Sequence, residues 1–328
     1  MRGSVLGIDV SKAKLDVMLR RDEGDSGVSG TFDNSPSGFK KLGQWLSKRQ
    51  VERVHACLEA TGMYGDDVAC FLHEAGHTVS VVNPAQIKKH AESQLRRNKT
   101  DKLDAAIIAD FCVKHHPRPW TPPDPAWYEL RALARHLTAL KDMRQQERNR
   151  LSSGVKAPGV IEALTDHIAF LDQQIHDLER DIQHFINQHP DLKRQRELLD
   201  SIPGIGPLTA ALLLAEIPNI PGFEQANDLV AFAGLNPRLW QSGILKGYSP
   251  LSKVGNPALR RLLFFPALAA RRSNPILAPW ADQLAARGKQ KMVVIGAVMR
   301  RLLIQVYGVL KSGQPFDPHF VAYSQTAP

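Results

Sequence analysis

The sequence predicts an α/β domain followed by a helical coiled-coil arm and a mainly helical, basic C-terminal region. Three observations predict it. Strand-like runs alternate with helical patterns up to about residue 115, five prolines crowd positions 117 to 125, and a strict heptad of apolar residues follows. Alternation of this kind gives a sheet covered by helices, no helix runs through such a density of proline, and a heptad seam needs a helical partner. At 328 residues the chain exceeds one typical core. The boundaries expected are 1–120, 121–200 and 201–328.

Residues 4–10 (SVLGIDV) and 14–19 (KLDVML) are β-rich runs separated by Ser11, Lys12 and Ala13, which reads as a hairpin with Leu15, Val17 and Leu19 on one face. A helix is expected over about 36–49, then a strand ending at Glu59, a Thr61-Gly62 turn, a helix over 65–75 and a strand over 77–83. Residues 84–115 read as helical with an interruption near Arg96 to Thr100. From 126 to about 196 the chain is helical again, broken by SSGVKAPG at 152–159. Leu164, Ile168, Leu171, Ile175, Leu178, Ile182 and Phe185 recur at alternating spacings of 4 and 3, and Leu130, Leu133, Leu137 and Leu140 give the preceding helix a matching stripe. Two such helices pack as an antiparallel hairpin or pair with another protomer.

Charge is unevenly spread. Residues 235–328 carry 13 Lys and Arg against only Asp282 and Asp317, whereas residues 121–234 carry 11 against 16. A basic stretch of this kind is an electrostatic footprint for polyphosphate, or a merely soluble surface. The three cysteines, Cys57, Cys70 and Cys112, have no paired-ligand spacing, which points away from zinc and from a disulfide framework. The N-terminus is wrong for a signal peptide, and no uninterrupted apolar run reaches the roughly 20 residues of a spanning helix. The expectation is a soluble, cytoplasmic protein with no membrane partner.

Four acids carry the chemistry. Asp9 and Glu59 each end an expected strand, at the mouth of a sheet where α/β folds bind ligands. Taken singly, each is equally a turn or solvated residue. Stepping about 100° per residue along 101–112 puts Asp104 in the middle of the stripe formed by Ile107, Ile108 and Phe111, with Asp101 at its edge. A carboxylate aimed at a core is costly unless it is paired or bound to a metal. Asp101, three residues after Asn98, also suits a helix cap. Together the four form an oxygen-only set suited to Mg²⁺ or Mn²⁺, of the kind used in phosphodiester chemistry.

Lys88, Lys89, Arg96, Arg97, Lys99 and Lys102 cluster just before the helix acids, either holding RNA or DNA or forming a solvated face. The run Ile202-Pro203-Gly204-Ile205-Gly206 is either a tight turn between helices or a presenter of N–H groups to a DNA phosphate. Arg260 and Arg261, with Arg271 and Arg272, flank the apolar LLFFPALAA, a buried helix with basic ends suited to positioning a nucleic-acid backbone.

The segments GIDVSK (7–12), LEATGMY (58–64), VVNPAQ (81–86) and RNKTDKLDA (97–105) resemble the DEDD-type transposases of bacterial insertion sequences. The first domain of that family resembles the RuvC resolvase, an RNase H-like fold. SIPGIGPLTA (201–210), FAGLNPR (232–238), QSG (241–243) and SKVGNPALRRLL (252–263) resemble its C-terminal transposase domain. The group is understood as RNA-guided serine recombinases, in which a structured noncoding RNA pairs with donor and target DNA. The resemblance implies that Asp9, Glu59, Asp101 and Asp104 are the four metal-site acids. It implies that Ser242 is the nucleophile on the DNA phosphate, acting in a homo-oligomer, dimer or tetramer, without ATP. Arg238, Lys246 and Lys253 lie near it in sequence and suit charge neutralisation. Two other readings stay open: a metal-dependent junction nuclease with Ser242 a bystander, and a nucleic-acid-binding protein without catalysis.

Overall fold

A computed structural model of the chain describes residues 3–21, 25–60, 64–93, 101–237 and 251–319, apart from the side chains of 101–103. They fall into two compact units, Met1–Pro122 and Pro123–Pro328.

The first unit is built on a five-stranded sheet. β1 (Ser4–Val10), β2 (Lys14–Arg20) and β3 (Val28–Asp33) form an antiparallel meander, and β4 (Val54–Glu59) and β5 (Thr78–Val82) add in parallel, giving the order β3-β2-β1-β4-β5. This mixed sheet is consistent with an RNase H-like fold. Alternation along the strands divides two cores. Leu6, Ile8, Leu15, Val17, Ala56 and Leu58 pack under α1 (Pro36–Ser47) and α2 (Asp66–Glu74). Val5, Cys57 and Val82 pack under α3 (Pro84–Ser93) and α4 (Asp101–His115) through Ile87, Ile107, Ile108, Phe111 and Cys112. α1 starts where Ser35 accepts from the Gly38 N–H at 3.2 Å and Pro36 supplies its fixed φ.

β3 was not expected from the sequence. Its run VSGTFD is mostly exposed and contains a glycine, so burial did not mark it; it forms because its backbone completes the edge beside β2. All three cysteines are free; Cys57 on β4 packs in one core with Cys112 on α4, whose Sγ donates to the His55 carbonyl at 3.9 Å. The neighbouring Cys112 thiol, and then burial, hold the Cys57 thiol well above the usual range.

The second unit is helical. α5 (Pro125–Ser152) begins at Asp124, which accepts from the Ala126 N–H at 2.7 Å, and α6 (Pro158–Gln188) returns against it. The stripes meet as an antiparallel hairpin, with Leu130, Leu137 and Leu140 in one core with Leu171, Ile175, Leu178, Ile182 and Phe185. Lys141–Glu179 at 2.7 Å and Arg144–Asp172 at 2.6 Å cross the pair. The same core continues through α7 (Pro190–Asp200), α8 (Pro207–Glu216), α9 (Ala226–Phe232), α10 (Pro257–Leu262), α11 (Phe264–Ser273), α12 (Leu277–Ala286) and α13 (Lys291–Ser312). α13 has the 22-residue length and apolar content of a membrane span, but Val294, Val298, Leu302, Leu303 and Val306 are buried within this unit.

The hydrogen bond from Arg144 holds the Asp172 carboxyl below its ordinary value of 3.8. A carboxyl depressed by folding stabilises above its unfolded pKa and loses that contribution as pH falls through its folded one. The pair is partly solvated, so Asp172→Asn is expected to lower the melting temperature by no more than about 3 °C at neutral pH. In calorimetry, the wild-type and variant transitions converge as the pH is taken below 3.8. A gap that persists there means the loss is one of packing and not of charge.

Candidate functional site

Strand alternation sets where the acids lie. On β1, Leu6 and Ile8 enter the core under α1 and α2, so Gly7 and Asp9 share the opposite face with Val5. On β4, Glu59 shares that face with Cys57. The parallel register pairs Ile8 with Leu58, which puts Asp9 beside Glu59 at the C-terminal edge of the sheet.

α4 brings the third acid. It crosses β1 so closely that a Cβ on Gly7 would lie 2.3 Å from the Ala105 carbonyl oxygen and 2.4 Å from the Ala109 nitrogen. Its direction follows from Arg20, which pairs with Val5 at the start of β1 and donates from Nη1 to Asp110 Oδ1 at 2.9 Å. The C-terminal half of α4 therefore lies over the start of β1, and its first turn lies toward Asp9. Asp104, half-buried, directly precedes the Ala105 that meets Gly7. Asp101 begins the helix, and its side chain lies outside the described residues. Among the described residues, no group of three or more His, Cys, Asp or Glu is gathered to hold a metal. The donor set still fits a hard divalent cation, with carboxylates from two adjacent strands and from the helix covering them.

The sequence reading missed Asp16. It is the direct antiparallel partner of Asp9, is 5% exposed, accepts from Thr31 Oγ1 at 2.6 Å and pairs with Lys14 at 3.0 Å. Its signal was the alternation itself: with Leu15 and Val17 facing one way, Asp16 faces the side that α4 covers and not solvent.

In the second unit, Ser242, Arg238 and Lys246 lie outside the described residues, as do Arg96, Arg97 and Lys99 in the first. The described residues that flank Ser242 meet each other. Pro237 and Leu251 form an antiparallel bridge, the Ser252 N–H donates to the Asn236 carbonyl at 2.8 Å and the Lys253 N–H to the Gly234 carbonyl at 3.0 Å. Arg260, read from sequence as a nucleic-acid contact, donates from Nη1 to the Ala233 carbonyl at 2.8 Å. Arg261 pairs with Asp142 of α5, and its guanidinium holds that carboxyl below the usual range. Lys253 is exposed. Asn256 caps α10 and donates to Glu216, a carboxylate only 3% exposed that also accepts from Arg135 Nε at 3.1 Å. The described motif residues on either side of Ser242, up to Pro237 and from Leu251, are thus fastened to the helical core. Gly204 has an equally steric role, with φ of +106° and a hypothetical Cβ 2.6 Å from the Ala270 nitrogen of α11.

Comparison with known proteins matches both parts of the chain. Residues 6–157 match a family described as transposase, of the DEDD type of IS110 elements, and residues 196–280 match the transposase IS116/IS110/IS902 family. The pilin gene-inverting protein of Moraxella bovis is 33% identical over 324 residues, covering 97% of this chain and 98% of that protein. The transposase for insertion sequence element IS1328 of Yersinia enterocolitica is 25% identical over 290 residues, 79% and 81% of the two chains. Asp9, Glu59 and Asp104 lie in the first matched segment and Ser242 in the second, and a relative 33% identical spans nearly the whole chain, so the chain belongs to the IS110 family of transposases.

Proposed function

We propose that the chain is a DNA recombinase that cuts and exchanges strands through a covalent bond to Ser242, guided by a structured noncoding RNA. What supports the reading most is the β1–β4 register, which sets Asp9 and Glu59 side by side on one face of the sheet, with α4, the helix that carries Asp101 and Asp104, crossing that face at Gly7. A second observation favours exchange over hydrolysis. The Moraxella relative is named for inverting a gene, and inversion needs strands rejoined as well as cut, which a nuclease does not do.

In the proposed step the Ser242 hydroxyl gives up its proton to a base and its oxygen attacks phosphorus. The new P–O bond forms as the bond to a deoxyribose oxygen breaks, and that oxygen takes up a proton. Attack by a hydroxyl of the exchanged strand then releases Ser242. One phosphodiester replaces another, so no ATP is required. Arg238, Lys246 and Lys253 neutralise the phosphate charge. Asp9, Glu59, Asp101 and Asp104 hold Mg²⁺ or Mn²⁺, which when bound supplies Lewis-acid stabilisation of phosphodiester chemistry. The partners are donor DNA, target DNA, the guide RNA and further copies of the chain, as a dimer or tetramer. Phe170, Val160 and Ile161, exposed at 59%, 47% and 37%, leave apolar surface toward the free end of the hairpin for a second copy.

The test is a denaturing gel of purified protein, element-derived RNA and end-labelled junction DNA with Mg²⁺. Wild type is expected to give a protein–DNA adduct, and Ser242→Ala to give none while retaining DNA binding. Cleavage without adduct, equal in both proteins, hands the reaction to the carboxylates alone. Binding without cleavage, indifferent to chelator, removes catalysis altogether.

A further inference from the structure

At the far end of α4 from its acids, the first unit gathers a second set of polar side chains. Asp110, 8% exposed, lies between Arg20 Nη1, His90 Nε2 and Lys114 Nζ, each at 2.9 Å. When His90 donates to Asp110 from Nε2, its Nδ1 accepts from His115 Nε2, 3.2 Å away. The His115 ring also lies against Phe111, with 4.6 Å between centroids. An exposed imidazole is thereby held in one orientation by a buried aspartate acting through a second histidine.

His115 stands at an open cleft of about 780 Å³ between α3, the end of β5 and the chain following α4. Asn83, Gln86, Lys89, His116 and Arg118 line it, and no Asp or Glu is among the described residues that do so. Asp110, close behind, is already engaged by the cations of Arg20 and Lys114 and by the His90 ring. The His115 end of α4 lies about 16 Å along the helix axis from Asp104, so the cleft is a separate feature from the acidic edge.

We propose that this cleft binds the sugar–phosphate backbone of a single nucleic-acid strand. Its lining offers ammonium, guanidinium, imidazole and amide donors, the set that phosphate oxygens accept from. Its volume falls within the range of ligand-sized sites and exceeds what one phosphate needs, and its openness to solvent lets a chain pass through. The inference rests on reading the protein as an enzyme of nucleic acids, and it adds a place where a strand is held away from the reacting phosphate.

The experiment uses the full chain and two probes, a labelled 12-nucleotide DNA and the RNA of the same sequence, with binding followed by anisotropy from 50 to 200 mM KCl. Lys89 and Arg118 are exposed, so Lys89→Ala/Arg118→Ala leaves both cores intact, which a melting curve checks. The slope of log affinity against log salt is expected to fall by about 1.4 for at least one probe, two single-strand phosphate contacts at about 0.7 each. Affinity at 100 mM KCl is expected to fall roughly tenfold or more with it. His116→Ala should weaken binding of the same probe. A loss confined to DNA or to RNA names the strand the cleft holds. Unchanged slope and affinity for both probes, with the Ser242-dependent adduct still forming, overturn the cleft and leave the proposed function standing. Wild-type protein that binds neither probe overturns both.

Discussion

Gly7→Ala is expected to lower the stability of the first unit by about 3 kcal/mol and to remove its activity with it. The added methyl would meet backbone atoms, the Ala105 carbonyl oxygen at 2.3 Å and the Ala109 nitrogen at 2.4 Å, and neither can rotate aside. Relief requires α4 to lift from β1, which opens the contacts of Val5 and Cys57 with Ile107, Ile108 and Cys112. The same lift carries Asp104 away from Asp9 and Glu59. Calorimetry should show the transition of the first unit falling by roughly 10 °C or more, with DNA cleavage lost in parallel. A variant that melts like wild type and cleaves normally would mean that α4 does not seat on Gly7, and the acidic edge as drawn would go with it.

Asp104→Asn should separate activity from stability in the opposite sense. The substitution keeps shape and volume while removing one negative charge from the first turn of α4. Folding loses no packing, and the melting temperature without metal is expected to hold. Strand cleavage is expected to fall by more than about a hundredfold, beyond the loss typical of groups that only orient a metal ligand. Glu59→Gln should behave alike. Retained cleavage in Asp104→Asn sinks its assignment as a metal-site acid, whereas loss of cleavage together with a large drop in melting temperature recasts it as structural.

Much of the first unit was legible because a side-chain period of two or 3.6 marks any element with one buried face. β1, β2, β4 and β5 and all the helices that cover them follow from such patterns. β3 did not, since an edge strand needs only backbone partners and its side chains VSGTFD remain largely in water. The helical wheel found Asp104 because its neighbours are apolar, and it passed over Asp110, whose face of α4 meets Arg20 and His90 from elements 90 and 20 residues away. Asp16 was hidden for a related reason: one face of the hairpin was counted as core, and nothing local says that the other face is covered as well.

The motif residues around Ser242 divide in the same way. Their resemblance to a transposase domain was readable, but Arg260 and Asn256 turn out to bond the Ala233 carbonyl and Glu216, and Pro237 bridges to Leu251, contacts that only the fold reveals.

The sequence by itself determined four of the five strands and the helices that cover them, the apolar stripes of α5 and α6, the charge asymmetry and the presence of acids at strand ends, because each is a property of residues near one another along the chain. Only the tertiary structure decided which acids share a face, that Gly7 admits α4, that Arg260 faces a carbonyl and that His115 is anchored through His90 to Asp110. Those are contacts between segments far apart in sequence, and their geometry is fixed by sheet register and helix crossing, which no local pattern encodes.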